Sequence, residues 1–77
     1  MAIKLRVKDL PSEATRTDLV GIFAEVGCVE KADIFMDTDG RRRHGFIEMS
    51  SEEEAWRAMD VLAGNYFKGK YLNIRFI

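Results

Sequence analysis

Between Ile3 and Lys8 every second residue is apolar, and each residue between them is a cation. Successive side chains of a strand point to opposite faces, so this alternation predicts a half-buried strand with cations on its outer face. Asp9 and Pro11 end the pattern, because neither residue type favours the interior of a strand.

The next segment has the periodicity of a helix, with apolar residues that recur every three or four positions. Thr15, with Asp18 three residues later, has the pattern of a helix N-cap and its acidic partner. We therefore predict a first helix over Arg16–Val26, closed by Gly27 in the left-handed conformation.

The same signals mark a second helix later in the chain. Ser51 and Glu54 have the spacing of a capping box, consecutive glutamates suit the positive end of the helix dipole, and Gly64 provides the stop. The apolar stripe of this helix leaves Trp56 on its flank. There the ring either covers the edge of the core or anchors a protein partner.

Three further strands are predicted from alternating segments, over Cys28–Met36, within Arg41–Met49 and from Gly69 onward. Met36 and Phe76 are expected on the inner side of their strands. The order of strand, helix, strand, strand, helix and strand is typical of an α+β fold. In such a fold two helices cover one face of a four-stranded antiparallel sheet.

Aromatic residues occupy positions that this pattern leaves exposed. Phe46 points outward if Gly45 and Ile47 point inward, and Phe35 and Tyr71 are exposed by the same alternation. Exposed rings beside a run of arginines suit single-stranded nucleic acid, because bases stack on rings and phosphates bind cations.

Composition limits the architecture to one small domain. A chain of 77 residues, 47% of them hydrophobic, supports one core, so we predict a single domain over residues 1–77. One cysteine excludes a disulfide framework and suggests a reducing compartment, and no apolar run reaches the roughly 18 residues of a membrane span. We expect a soluble, cytoplasmic monomer without a signal peptide or a membrane segment.

The net charge of -1 does not indicate a strongly basic, non-specific nucleic-acid binder. The charges are nevertheless distributed unevenly, since cations fall mainly on predicted strands and loops and acids mainly on predicted helices. This distribution predicts one basic face.

The segment RRHGFIEM resembles the octamer motif of the RNA recognition motif family. That motif combines a basic residue, glycine, an aromatic, glycine or alanine, a second aromatic and an aliphatic residue. Arg42, Gly45 and Phe46 match it, whereas Arg43 replaces the family's glycine and His44 replaces its first stacking aromatic.

The segment LRVKDL resembles the family's hexamer motif, with Arg6 in place of the stacking aromatic and Asp9 in place of the usual asparagine. The tail GKYLNI is similar to the family's ending, so the resemblance covers nearly the whole chain. It implies a ferredoxin-like βαββαβ sandwich that binds single-stranded RNA, or single-stranded DNA, on the exposed sheet face. The residues predicted to contact RNA are Arg6, Lys8, Phe35, Arg42, Arg43, His44, Phe46, Tyr71, Asn73 and Arg75.

Because two stacking positions lack an aromatic ring, we predict weak, salt-sensitive binding. Each lost base stack costs about 1 to 3 kcal/mol, although guanidinium and imidazole groups restore part of it by stacking themselves. The same replacements support a second hypothesis. In it the domain keeps the fold, has lost its RNA-binding face and binds a protein through the Trp56 helix or through the sheet.

The sequence offers no residue set for catalysis or metal binding. A single histidine and a single cysteine do not supply a nucleophile, a base and an orienting group, and no Gly-rich phosphate loop is present. Asp37, Asp39 and Glu48 have the spacing of calcium ligands, but Arg41 and Arg42 stand where that loop needs an oxygen ligand and a glycine. We therefore predict no enzyme activity, no cofactor and no metal.

Overall fold

The protein is described by a computed structural model that covers residues 2–36, 40 and 43–77. Its elements are β1 (Ile3–Leu10), α1 (Arg16–Ala24), β2 (Val29–Met36), β3 (Arg43–Met49), α2 (Glu52–Leu62), β4 (Tyr66–Phe67), β5 (Lys70–Tyr71) and β6 (Asn73–Phe76). Within these residues no helix is long and apolar enough to cross a bilayer. Asp37 and Asp39, which have the spacing of calcium ligands, and the cations Arg41 and Arg42 lie outside the described part of the chain.

Four of the strands form one antiparallel sheet in the order β2-β3-β1-β6. The two helices pack on the same side of this sheet and share one core with it. The α+β class and the ferredoxin-like sandwich predicted from the sequence are therefore confirmed. The two central strands, β1 and β3, are the ones that carry the hexamer-like and octamer-like segments.

The core takes alternate residues from each strand of the four-stranded sheet and the apolar stripe from each helix. Its largest fully buried side chains are Leu5, Val7, Leu19, Phe23, Ile47 and Met49. Burying a side chain of this kind contributes about 1.5 to 3 kcal/mol. The core therefore fixes which face of every sheet strand points away from the helices.

The start of α1 agrees with the prediction. The Thr15 hydroxyl accepts a hydrogen bond from the Asp18 backbone N–H at 3.1 Å, and the Asp18 carboxylate accepts one from the Thr15 backbone N–H at 3.1 Å. Both halves of a capping box are thus present, which satisfies two N–H groups that have no partner within the helix.

The end of α1 differs from the prediction, since the helix stops at Ala24 and Gly27 does not take a left-handed conformation. Gly27 is required for close packing instead. A Cβ atom at this position would lie 2.8 Å from Glu54 Cβ and 2.9 Å from Met49 Cε. The sequence could not reveal this contact, because it joins segments that are far apart along the chain.

At the start of α2 the Ser51 hydroxyl accepts a hydrogen bond from the Glu54 backbone N–H at 3.2 Å, as predicted for an N-cap. The Glu54 carboxylate does not return to the Ser51 backbone. It accepts hydrogen bonds from the Ser51 hydroxyl at 2.9 Å and from the Cys28 backbone N–H at 2.5 Å, and so ties α2 to the segment before β2. At the other end, Gly64 has a φ of +84°, which confirms the predicted left-handed stop.

These hydrogen bonds make part of the stability depend on pH. The bonds from Cys28 and Ser51 lower the pKa of Glu54 below its ordinary value. A carboxyl group with a lowered pKa in the folded state contributes stability above its unfolded pKa, about 4.3 for glutamate, and that stability is lost as pH falls through the folded pKa. We expect the urea midpoint to fall from pH 6 to pH 3, and to fall less in Glu54→Gln. Equal falls in both proteins would contradict this account.

The C-terminal segment does not form the single strand predicted from Gly69 onward. β5 pairs with β4 as a separate hairpin, and only β6 joins the sheet, beside β1. Lys68 and Gly69 have φ values of 48° and 93° and form the two-residue turn of the hairpin. The Leu72 N–H donates to the Asn65 carbonyl at 2.8 Å, so the chain at this point pairs with the preceding loop and not with β1.

Candidate nucleic-acid interface

The face of the sheet opposite to the helices is called the exposed sheet face. Its side chains alternate along each strand with residues that pack into the core, so their direction follows from the strand register. In the described part of the chain they are Lys4, Arg6, Lys8, Lys31, Asp33, Phe35, His44, Phe46, Glu48, Asn73 and Arg75.

Phe46 lies on a central strand of this face. In the register it is the partner of Arg6 on β1 and of Asp33 on β2, and Arg6 is the partner of Arg75 on β6. Directly opposed residues of an antiparallel pair have Cβ atoms about 4.5 to 5.5 Å apart. A base stacked on the Phe46 ring would therefore have a guanidinium group on one side and a carboxylate on the other.

A depression of about 480 Å³ lies beside Phe46. It is lined by Arg6, Lys8, Phe35, Met36, His44, Gly45 and Phe46. Five of these residues belong to the set predicted from the sequence, and they come from three different strands. The volume falls within the range of about 300 to 1,000 Å³ that is usual for small-ligand sites.

Two rings meet in this depression. Phe35 and Phe46 contact each other edge to face, with ring centroids 6.4 Å apart and planes inclined at 79°. His44 is the cross-strand partner of Phe35. Phe35 remains 54% exposed, and the near-perpendicular planes mean that the two rings cannot both stack on one base. They can serve two bases, or hold one base by its face and its edge.

Met36 also lines the depression, which corrects the expectation that it points into the core. It is 61% exposed. Met36 is the last residue of β2, so its side chain lies past the part of the strand that the core covers.

Arg43 does not share the exposed sheet face. It is on the same side of β3 as Gly45 and Ile47, which are buried, and its Nη1 donates a hydrogen bond to the Ser12 carbonyl. The register therefore places Arg43 on the side opposite to Phe46, away from the face on which it was predicted to contact RNA. The other arginine of that prediction, Arg42, lies outside the described residues.

The site continues towards β6. A second depression, of about 220 Å³, is lined by Arg6, Lys8, Arg75, Phe76 and Ile77. Asn73 is the register partner of Lys8 on the same side. Because Arg6 and Lys8 line both depressions, the cations of β1 lie between the two.

Trp56 and Phe76 meet on the helix side of β6, with ring centroids 4.7 Å apart. Phe76 thus points towards the helices as predicted, but it is 36% exposed and lies at the edge of the core. Trp56 covers this edge, one of the two roles that the sequence left open, and 53% of its surface remains exposed.

Tyr71 lies in the hairpin and not in the sheet. Its cross-strand partner is Tyr66, and the two rings are 5.1 Å apart at an angle of 74°. Tyr66 was not among the residues predicted to contact RNA. The signal that could have revealed it is the pair Lys68 and Gly69, because a residue followed by glycine between two short segments suits a two-residue turn and makes Tyr66 and Tyr71 face each other.

Cations outnumber acids on the exposed sheet face. Its described residues include five lysines and arginines and two carboxylates, whereas the helices carry exposed acids at Glu52, Glu53 and Asp60. This agrees with the predicted basic face. Such a distribution attracts a polyanion to one side of the domain although the net charge is -1.

Two carboxyl groups in the described part of the chain have a lowered pKa, and they lie at the starts of the two helices. Hydrogen bonds from the Thr15 backbone and from the Lys68 side chain lower the pKa of Asp18, as those from Cys28 and Ser51 do for Glu54. Among residues 2–36, 40 and 43–77 there is no group of three or more side chains that could hold a metal ion.

Comparison with known proteins extends the match beyond the two motifs. A family model described as RNA recognition motif matches residues 5–73. The chain is 38% identical over 73 residues to a 28 kDa chloroplastic ribonucleoprotein of Spinacia oleracea. This match covers 92% of this chain and 31% of the relative. It is 42% identical over 66 residues to the flowering time control protein FCA of Oryza sativa, and this match covers 82% of this chain and 9% of the relative. The chain thus spans less than a third of the length of these relatives.

Solved structures show the same fold. The crystal structure of the RNA-binding protein PG1 matches 97% of this chain and 93% of its own, with a TM-score of 0.87 and 30% identity. A Sxl-lethal protein/RNA complex matches 100% of this chain and 47% of its own, with a TM-score of 0.87 and 26% identity.

Proposed function

This chain belongs to the RNA recognition motif family, and we propose on that basis that it binds single-stranded RNA through its exposed sheet face. The observation that carries the proposal is the position of Phe46. It lies between Arg6 and Asp33 and beside a depression that Phe35 and His44 also line. A base stacks on an exposed ring in such a site, and the surrounding cations attract the phosphates.

The residues have different roles in this proposal. Phe46 stacks a base, and Phe35 and His44 contact a neighbouring base or the edge of the same one. Arg6 and Arg75 lie flat against bases or ribose, because guanidinium planes stack as rings do. Lys8 and Asn73 bind phosphate or sugar on the β6 side, and Arg42 remains a predicted phosphate contact. Arg43 is left out, since its guanidinium is bonded to the Ser12 carbonyl.

We propose weak, salt-sensitive binding because Arg6 and His44 stand where stacking aromatics would give more binding energy. The free energy then depends strongly on cations that neutralise phosphates. For single strands the logarithm of the association constant falls with the logarithm of salt concentration with a slope of about −0.7 per phosphate neutralised. Two to four neutralised phosphates would give a slope of roughly −1.4 to −2.8.

A titration with a pool of unstructured single-stranded RNA, followed by backbone amide shifts, tests the proposal. We expect the shifts to cluster on Arg6, Phe35, His44, Phe46 and Arg75 and to weaken as salt is raised. The same titration with single-stranded DNA shows whether the ribose hydroxyl contributes. An absence of shifts on β1 and β3 at millimolar RNA would contradict the proposal.

A second candidate function rests on the exposure of Trp56. Its ring covers Phe76 but keeps about half of its surface accessible, and tryptophan is enriched among the residues that anchor protein interfaces. If this function were the main one, RNA would leave the amide shifts unchanged. A protein partner would then shift Trp56 and the rest of α2.

A further inference from the structure

We propose that Tyr66 and Tyr71 form a second stacking site, which binds a base further along the same RNA strand. The binding surface would then extend past the end of β6 onto the β4–β5 hairpin. This inference rests on the proposed function, because it needs a strand already bound to the exposed sheet face.

The alternation of exposed and buried residues continues from β6 back into the hairpin. From Tyr71 to Arg75 the residues are alternately exposed and buried, with Leu72 and Ile74 in the core. Tyr71 therefore points to the same side of the chain as Asn73 and Arg75. Tyr66 is paired with Tyr71 and contacts its ring, so it lies on that side of the hairpin too.

Both tyrosine rings are accessible. Tyr66 is 67% exposed and Tyr71 is 70% exposed. Because the rings meet edge to face at 74°, each ring keeps at least one face that the other ring does not cover. An accessible aromatic face stacks any base, since every base has a π-face.

Three features fix the hairpin that presents these rings. The two-residue turn has both central residues at positive φ, which suits the twist of the flanking strands. Phe67 packs against the core from the other side of the hairpin. Lys68 Nζ lies 3.2 Å from Asp18 Oδ2, which ties the turn to the start of α1. Because the hairpin is already ordered in the free protein, binding RNA does not incur the entropy cost of ordering it.

The distance to the first site sets the length of RNA that is needed. Phe46, Arg6 and Arg75 are register partners on three neighbouring strands, so Arg75 is two strand spacings from Phe46. Tyr71 precedes Arg75 by four residues along the chain. With strands about 4.8 Å apart and about 3.3 Å per residue, the separation is roughly 16 Å. The two bases of a dinucleotide are adjacent and cannot reach both sites, whereas an octanucleotide can.

Affinities for a dinucleotide and an octanucleotide, both unstructured and measured by amide-shift titration, test this inference. Tyr66→Val keeps a strand-forming residue and removes the ring. We expect it to weaken octanucleotide binding about 5- to 20-fold, the range of one moderate base stack, and to change dinucleotide binding less than 2-fold. Tyr66→Phe keeps the ring and should bind both lengths as the parent does.

The outcomes separate this inference from the proposed function. Binding of both lengths that Phe46→Ala weakens and Tyr66→Val leaves unchanged would support the sheet site and overturn the hairpin site. Equal weakening of both lengths by Tyr66→Val would also overturn it. Failure of the parent protein to bind either RNA would overturn both proposals.

A measurement on the parent protein avoids any effect of substitution on hairpin folding. Ring protons that stack on a base shift upfield. We expect the ring signals of Tyr66 and Tyr71 to shift with the octanucleotide and to stay in place with the dinucleotide. Unchanged ring signals at saturation with the octanucleotide would overturn the inference even if Tyr66→Val binds weakly.

Discussion

Phe46→Ala is expected to weaken binding of single-stranded RNA about 10- to 100-fold and to leave the fold intact. One base stack is worth about 1 to 3 kcal/mol, and Phe46 also holds Phe35 by an edge-to-face contact. The side chain points away from the core, to which β3 contributes Ile47 and Met49 from its other face. Isothermal titration or fluorescence anisotropy at low salt measures the loss, and thermal unfolding checks the fold.

A variant that is expected to tighten RNA binding serves as the matched control. His44 is next to Phe35 across the strands and lines the same depression, at a position where the family has a stacking aromatic. His44→Phe should therefore tighten RNA binding, by about 3- to 10-fold, since a phenyl ring stacks better than the imidazole it replaces. Unchanged affinity in both Phe46→Ala and His44→Phe would mean that RNA does not bind this face.

The fold could be predicted from the sequence because its determinants are local. Residues that alternate along β1 and β3 had to place Leu5, Val7 and Ile47 in one core, and this fixed Arg6 and Phe46 on the opposite face. The N-caps at Thr15 and Ser51 were equally visible, since a cap and its partner are three residues apart. Most of the candidate site follows from these local patterns.

What the sequence did not reveal depends on strand ends and on contacts between distant segments. Arg43 was grouped with its arginine neighbours, but the register turns it towards the Ser12 carbonyl. Met36 fits the inward alternation and is nevertheless exposed, because β2 ends at that residue. Tyr66 became part of the proposed second stacking site only because the hairpin places it against Tyr71.

A marked loss of stability is expected for Gly27→Ala. A methyl group there would lie 2.8 Å from Glu54 Cβ and 2.9 Å from Glu54 Oε2 and from Met49 Cε. Glu54 Cβ belongs to the rigid first turn of α2, so the helix itself would have to move. That movement would also strain the hydrogen bond from the Cys28 N–H to the Glu54 carboxylate. Overpacking of this kind typically costs about 1 to 3 kcal/mol.

Gly21→Ala is the matched control, because it makes the same chemical change in open space. Gly21 is exposed within α1, and nothing lies within 4 Å of the position of its added Cβ. Alanine in a helix is more favourable than glycine by up to about 1 kcal/mol. Urea unfolding should therefore show a lower midpoint for Gly27→Ala and an equal or higher one for Gly21→Ala.

Both substitutions lie away from the exposed sheet face, so the RNA affinity of the folded protein should stay within about 2-fold of the parent, well below the effect of one base stack. A Gly27→Ala protein as stable as Gly21→Ala would show that α2 and the segment before β2 are not packed as closely as the structure indicates.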